Sequence, residues 1–342
     1  MRALVVRLSS IGDVVHTLPA AAALEAHGWE VGWLAEPAAH PLLQRNRAVS
    51  RLALAPRARA FRLAGALDVL RALRAGAYDV ALDLQGLWKS AAWARLSGAP
   101  RVLGFARPWR REPASAWLLG ETADLPPEAV HVIDKNLALL RPLGIEALGA
   151  RSFPLPETRA QAESVDRGLA KAGLEAFVVL NAGGGWASKL WPVDRFGALA
   201  RGLLERGLRS VVTWGPGEEA LADGVVAASG GAAVRCFQTT LVELIELLRR
   251  ARLVVAADTG PLHLACAVGT PVVGIYGPTD PARNGPFALD DRVVRRTPAC
   301  APCHRRRCAV HDGIMGAIGV GEVLTAVEER LASAARGRGV AV

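Results

Sequence analysis

"VVAADTGPLHLACAVGTPVVGIYGPTDP", residues 254–281, holds two apolar runs separated by a polar turn and an apolar pattern at helical spacing. The first run ends at Asp258. Thr259 and Gly260 then open a helix whose first turn accommodates Pro261, since an N–H is unpaired there in any case. The pattern His263–Val268 continues the helix, and Val272–Tyr276 reads as the next strand. A helix start of this kind offers unpaired backbone N–H groups and a positive dipole end, an anion site suited to a diphosphate. Gly260 lets a phosphate approach the backbone, and His263 can donate to the same anion. A capped helix with a buried histidine would look the same taken alone. The question is whether the arrangement recurs.

It does. Working outward, the strand candidates Phe177–Leu180, Ser210–Trp214, Ala233–Cys236 and Leu253–Ala257 alternate with helical patterns at Phe196–Arg206 and Leu241–Ala251. In the first half Ala3–Val6, Val31–Leu34, Ala53–Ala55, Val80–Leu84 and Val102–Phe105 alternate with Leu18–His27 and Leu67–Ala75. Strands alternating with helices predict an α/β chain with parallel, doubly wound sheets. "GARSFPLPET", residues 149–158, has two prolines and no periodicity, and reads as a linker. The expected divisions are 1–155, 156–325 and a tail, 326–342, that packs back on the first domain; the amphipathic segment Gly321–Ala335 closes the fold.

Ligands in such sheets bind outside the carboxyl ends of the strands. "NAGGGWASKLWP", residues 181–192, places three glycines and Lys189 after one strand, and a helix is expected from about Pro192. It is a phosphate cradle in outline, though neither a Walker pattern nor GxGxxG. "TWGPGEEA" follows another strand, and Glu218 there suits either a ribose diol or a helix dipole. Three such loops in one domain point to a nucleotide diphosphate. In the first half, "LSSIGDVVHTLPA", residues 8–20, supplies Asp13 with hydroxyls and glycine beside it. "DLQGLWKSA" brings Lys89, and "FARPWRREPAS" brings Arg107, Arg110, Arg111 and Glu112, guanidinium groups suited to bidentate grip on phosphate or carboxylate. A nucleotide half and a second anion-binding half with a carboxylate describe a group-transfer enzyme.

Composition agrees with that reading. Half of the 342 residues are apolar, enough for two cores, and 41 basic against 32 acidic residues give a net charge of +9. Such a balance favours anionic partners. No long basic run and no zinc-finger, RRM or KH signature occurs, so nucleic acid is not expected. No apolar stretch is long enough to span a membrane and the N-terminus does not read as a signal peptide, so a cytosolic protein is expected.

Together these motifs resemble the ADP-heptose:lipopolysaccharide heptosyltransferases of glycosyltransferase family 9. "SSIGDVVHTLPA" (9–20), "DLQGLWKSA" (83–91), "REPAS" (111–115), "KLWP" (189–192), "DTGPLHLA" (258–265) and "YGPTDP" (276–281) carry the resemblance, in family order across most of the chain. It implies a GT-B fold, two Rossmann-like domains facing each other across a cleft, with the acceptor on the first and the ADP-sugar on the second. It implies inverting transfer of L-glycero-D-manno-heptose from ADP-heptose to Kdo in the lipid A inner core of a Gram-negative bacterium, with no cofactor and no catalytic metal. Carried over by position, Asp13 is the general base. Lys189 and the Thr259–Gly260 backbone hold the diphosphate with His263, Glu218 binds ribose, and Asp258 contacts heptose hydroxyls. Ser9, Ser10, Gly12, Lys89, Arg107 and Arg111 serve the acceptor. The enzyme is expected to be a monomer bound peripherally at the inner face of the cytoplasmic membrane by charge attraction.

Within the family, "SSIGDVVHTLP" and "REPAS" are most like the first heptosyltransferase. "NAGGGWASK" lacks the paired threonines that some of these carry, so backbone contacts to phosphate are expected there. "CAPCHRRRCAVH", with Cys300, Cys303 and Cys308 spaced C-x2-C-x4-C beside His304 and His311, is instead a feature of the second heptosyltransferase and other members. Three thiolates and a histidine would suit a structural zinc, although the spacing is not a standard finger pattern. The rival readings are a second heptosyltransferase, a sugar-nucleotide 2-epimerase of the same architecture, and a nucleotide-sugar-binding module without turnover.

Overall fold

The computed structural model describes residues 1–56, 63–303, 306–308 and 313–338. The chain forms two compact units, Met1–Pro156 and Glu157–Val342, which divide inside the 149–158 segment.

The first unit contains β1 (Arg2–Val6), β2 (Glu30–Ala35), β3 (Arg51–Leu54), β4 (Val80–Asp83), β5 (Arg101–Phe105) and β6 (Glu121–Ala123). They form one parallel sheet in the order β3-β2-β1-β4-β5-β6. Helices cover its faces, so β1 and β4 are buried on both sides: Ala3 to Val6 and Val80 to Leu82 are sealed from solvent. That is why these strands are unbroken apolar runs. The second unit repeats the plan with β7 (Phe177–Asn181), β8 (Arg209–Thr213), β9 (Ala233–Arg235), β10 (Leu253–Ala257), β11 (Val272–Tyr276) and β12 (Arg292–Arg295). Its order is β12-β11-β10-β7-β8-β9, again all parallel.

Each sheet reverses its winding once, between β1 and β4 in the first unit and between β7 and β10 in the second. Connections leave such neighbours toward opposite faces, which opens a crevice at their carboxyl ends. The segments that follow these four strands, each a loop with the start of the next helical element, are residues 7–13, 84–89, 182–189 and 258–260.

Strands β6 and β12 are not evident as apolar runs. Both lie at sheet edges, and β6 is only three residues long. In β12 arginines stand at both ends and only Val294 is buried. An edge strand buries one face at most, so its sequence need not be apolar. The C-terminal segment differs from expectation as well. Val320–Arg338 is one helix, packed on helix Val193–Leu204 and on β11 and β12, with Val323 and Val327 fully buried. Arg330 Nε reaches Asp291 Oδ1 at 2.9 Å, a buried pair fastening this helix beside β12. Residues 326–338 therefore belong to the sheet layer of the second unit rather than forming a separate tail, and 339–342 lie outside the described residues.

Candidate active site

In the first unit, the helix Ile11–Val15 begins directly after β1, with Ser10 as its N-cap and Asp13 at the third position. Asp13 Oδ2 accepts from the Ser10 backbone N–H and from Ser10 Oγ, each at 3.1 Å. Asp13 Oδ1 lies 2.7 Å from Arg7 Nη2. Arg7 is itself buried, and its Nη1 donates to the carbonyl of Leu84, just past β4. Gln85 adds a second latch: its Oε1 accepts from Leu8 N at 2.9 Å, and its Nε2 donates to Ser9 O at 3.4 Å. Asp13 is thus fixed by three bonds, yet 37% of its side chain remains accessible. Ser9 is half-buried, Ser10 exposed and Gly12 buried beside it.

The basic residues of this unit separate into two kinds. Arg110 is fully buried and pairs with the equally buried Asp83, Nη2 to Oδ2, at 2.5 Å. Its Nε donates to Ser115 Oγ at 2.9 Å, which in turn donates to the Glu112 carbonyl at 2.6 Å. Glu112 Oε2 accepts from Trp88 N at 2.6 Å. Much of "REPAS" is therefore a brace tying its turn to the loop after β4, and Arg110 is unavailable to an anion. Lys89 forms an ion pair with Glu36. Arg107 and Arg111 are exposed, with Arg107 stacked 5.3 Å over the Trp117 ring.

In the second unit the three glycine-bearing loops meet. An added Cβ at Gly183 would stand 2.1 Å from Glu218 Oε2, and one at Gly184 would stand 3.0 Å from Thr259 Cγ2. The glycines let this loop lie between the ends of β8 and β10. Glu218 caps helix Glu219–Ala228 and accepts from Gly215 N at 2.9 Å. Thr259 is the N-cap of helix Gly260–Ala267 and donates to Asn181 Oδ1 at 3.3 Å; Asn181 Nδ2 donates to Thr213 Oγ1 at 3.2 Å.

Lys189, in the turn Ala187–Lys189, does not project freely. Its Nζ lies 2.6 Å from Asp258 Oδ2 and 4.4 Å from the centre of the Trp186 ring. Asp258 Oδ1 bonds His263 Nε2 at 3.1 Å and accepts from Asn284 Nδ2 at 2.7 Å. Burial works against charge on Asp258, but the hydrogen bonds and charges of His263 and Lys189 prevail and hold its carboxyl far below the usual range. His263 is buried and turned to Asp258, and both Asp258 oxygens are engaged. Asp258 thus links Lys189 to His263 and Asn284.

Sequence reading assigns no role to Arg7, Gln85, Asn181 or Asn284. A signal existed for the first three, since each is a polar residue set at or just past the end of a buried strand. Asn284, 26 residues beyond Asp258, carries no such mark. The segment after β12 has Cys300 exposed and Cys303 and Cys308 half-buried. Its backbone touches the site loops: Ser188 N donates to Arg306 O at 3.2 Å and Cys303 N to Pro278 O at 2.8 Å. Among the described residues no three His, Cys, Asp or Glu side chains gather as a metal site, and His304 and His311 lie outside them.

Residues 66–312 match the model of glycosyltransferase family 9 (heptosyltransferase). The chain is 31% identical over 329 residues to lipopolysaccharide heptosyltransferase 1 of Pseudomonas aeruginosa, covering 90% of this chain and 87% of that protein. Among solved structures, Escherichia coli heptosyltransferase WaaC with ADP superposes with a TM-score of 0.75 at 25% identity, over 96% of this chain and all of that one. A family 9 glycosyl transferase from Veillonella parvula superposes at 0.80 with 19% identity over 97% of each chain, a likeness of fold. The paired six-stranded parallel sheets are the α/β architecture of GT-B enzymes, and the chain belongs to glycosyltransferase family 9, the heptosyltransferase family.

Proposed function

We propose that this glycosyltransferase moves L-glycero-D-manno-heptose from ADP-heptose to the Kdo residue of the lipid A inner core, as a lipopolysaccharide heptosyltransferase of the first kind. The observation that carries this reading is Asp13, a carboxylate fixed by Arg7 and Ser10 yet accessible at the switch point of its sheet. The names of the relatives, lipopolysaccharide heptosyltransferase 1 above all, support the choice of donor and acceptor class.

In this reading Asp13 takes the proton of the acceptor hydroxyl as that oxygen attacks the anomeric carbon from the face opposite ADP. The bond from the anomeric carbon to the diphosphate oxygen breaks with inversion, and its electron pair leaves with ADP. Lys189 and the backbone N–H groups at Thr259 and Gly260 stabilise the charge on the leaving diphosphate. Glu218 serves the ribose. We assign Asp258 and His263 to holding Lys189 in place, since their polar atoms face that task already. Arg107 and Arg111 serve acceptor phosphates or carboxylates. Lys89, already paired with Glu36, joins them through an exchange of partners. The net charge of +9 favours work at an anionic membrane face, here the inner face of the cytoplasmic membrane.

A second reading, heptosyltransferase II or another member with a different acceptor, is favoured by the cysteine-bearing segment whose backbone meets the loops at Ser188 and Pro278. Turnover assays decide between them. ADP release should require both ADP-heptose and a heptose-free Kdo acceptor. Release only with an acceptor that already carries one heptose would assign the second reading, and sugar conversion without acceptor would indicate an epimerase.

A further inference from the structure

The first unit exposes three tryptophans to which the transfer reaction gives no role, beside the arginines assigned to the acceptor. Of the nine tryptophans, the three that are exposed are Trp88 at 42%, Trp109 at 47% and Trp117 at 70%. They stand on the helix Trp88–Leu96 and the 3-10 turns Arg107–Trp109 and Pro113–Leu118, and the last of these elements touches both others. Trp88 and Trp117 meet edge to face at 6.4 Å. Cations accompany the rings: Arg107 lies 5.3 Å from Trp117, and Lys135 lies 5.6 Å from Trp109. Arg111 is exposed in the same turn region. Glu112 accepts from the Trp88 N–H, and Glu36 is paired with Lys89.

Solvent-exposed tryptophans are costly unless something covers them, and three together on one surface mark an interaction site. Tryptophan is also the side chain best suited to the headgroup level of a bilayer, with an apolar body and one N–H for the wet side. Guanidinium and ammonium groups set among the rings would meet lipid phosphates. A protein partner would more often meet aromatic residues ringed by mixed charge, whereas the charged groups set against these rings, Arg107 and Lys135, are cations.

We propose that Trp88, Trp109 and Trp117, with Arg107, Arg111 and Lys135, form an interfacial docking surface for an anionic lipid bilayer. The proposal rests on the reading of the acceptor as a membrane lipid, and it gives the face by which the enzyme meets it.

The test is sedimentation with vesicles of phosphatidylethanolamine and phosphatidylglycerol, with phosphatidylcholine vesicles as the control. The full chain should sediment with the anionic vesicles, and the double variant Trp109→Ser/Trp117→Ser should lose at least about tenfold in partition. Turnover of that variant on a water-soluble Kdo acceptor lacking acyl chains should stay unchanged. Independently of any substitution, bromine-labelled acyl chains should quench the tryptophan fluorescence of the native protein. Equal sedimentation of variant and native protein, or absence of quenching, would overturn the proposal. So would a raised KM on the soluble acceptor, which would make the tryptophans sugar contacts. A concentration-dependent dimer abolished in the variant would do the same, giving the surface to a second copy of the chain. Vesicle binding without heptosyl transfer on either acceptor would instead overturn the functional reading and leave the docking surface standing.

Discussion

The Arg7 guanidinium and the Asp13 carboxylate lie 2.7 Å apart, Nη2 to Oδ1, across the turn that follows the first strand. The arginine is buried and the aspartate is more than one-third accessible. A surface carboxylate usually wanders among rotamers; this one is tied to a buried side chain that is itself bonded to the Leu84 carbonyl. Asp13→Ala should therefore lower kcat by about two to four powers of ten while KM for ADP-heptose barely changes, and should cost about 1–3 kcal/mol of stability because the buried Arg7 guanidinium loses its carboxylate. Steady-state kinetics and urea denaturation measure both, and full turnover in the variant would remove Asp13 from the role of base.

Arg7→Met should behave differently, because it strips a donor from both Asp13 and the Leu84 carbonyl. Leaving a part-buried carboxylate and a buried carbonyl without that cation should cost about 3 kcal/mol in urea unfolding. Turnover should also fall at least about tenfold, since the carboxylate loses its fixed position.

"RPWRR", residues 107–111, should divide by burial rather than by residue type. Arg110→Ala breaks the sealed pair with Asp83 and should cost about 3–5 kcal/mol. Arg107→Ala and Arg111→Ala, both on the exposed side, should stay within about 0.5 kcal/mol of the native stability and raise KM for a phosphorylated acceptor. Calorimetry alongside acceptor titration separates the two classes.

Asp258 sets an acid signature. A carboxyl held low in the folded protein takes up its proton later than in the unfolded chain. Its stabilisation is therefore whole above the ordinary aspartate value of about 3.9 and drains away as pH falls below it. Asp258→Asn should be about 3 kcal/mol less stable than the native chain at pH 7, and the gap should narrow in unfolding curves taken below pH 4. Through the range in which the protein works, Asp258 stays ionised and contributes no limb to the pH–rate profile.

Neighbouring glycines in "GGG", residues 183–185, should differ sharply. Gly183→Ala drives a methyl group onto the Glu218 carboxylate, and should raise KM for ADP-heptose by about tenfold or more at a cost of about 1–3 kcal/mol. Gly185→Ala meets nothing within 4 Å and should be near neutral. Equal effects at both positions would detach Glu218 from the donor site.

What could be read beforehand followed from burial. β10 and β11 are evident to the residue because both are sealed on two faces, so every side chain in them had to be apolar. β6 and β12 are hidden because an edge places no such demand. The same limit applied in the site. Asp13 and Lys189 stand beside glycines and strand ends, where the chain itself marks them. The internal use of Arg110, by contrast, depends on Asp83, 27 residues away, and nothing in the letters separates it from Arg107 or Arg111. Asp258 was visible as a carboxylate after a strand, but its confinement by Lys189, His263 and Asn284 arises only when three distant segments converge.

Arg7 and Ser10, which hold Asp13, lie before Pro156, and Asp258, which holds Lys189, lies after it. These two arrangements are thus each built from contacts within one unit. On the proposed reading, selection can retune the acceptor side by changing one half of the gene while the nucleotide side keeps its wiring. Grafting residues 1–156 of one member onto the second unit of another should preserve both sets of bonds.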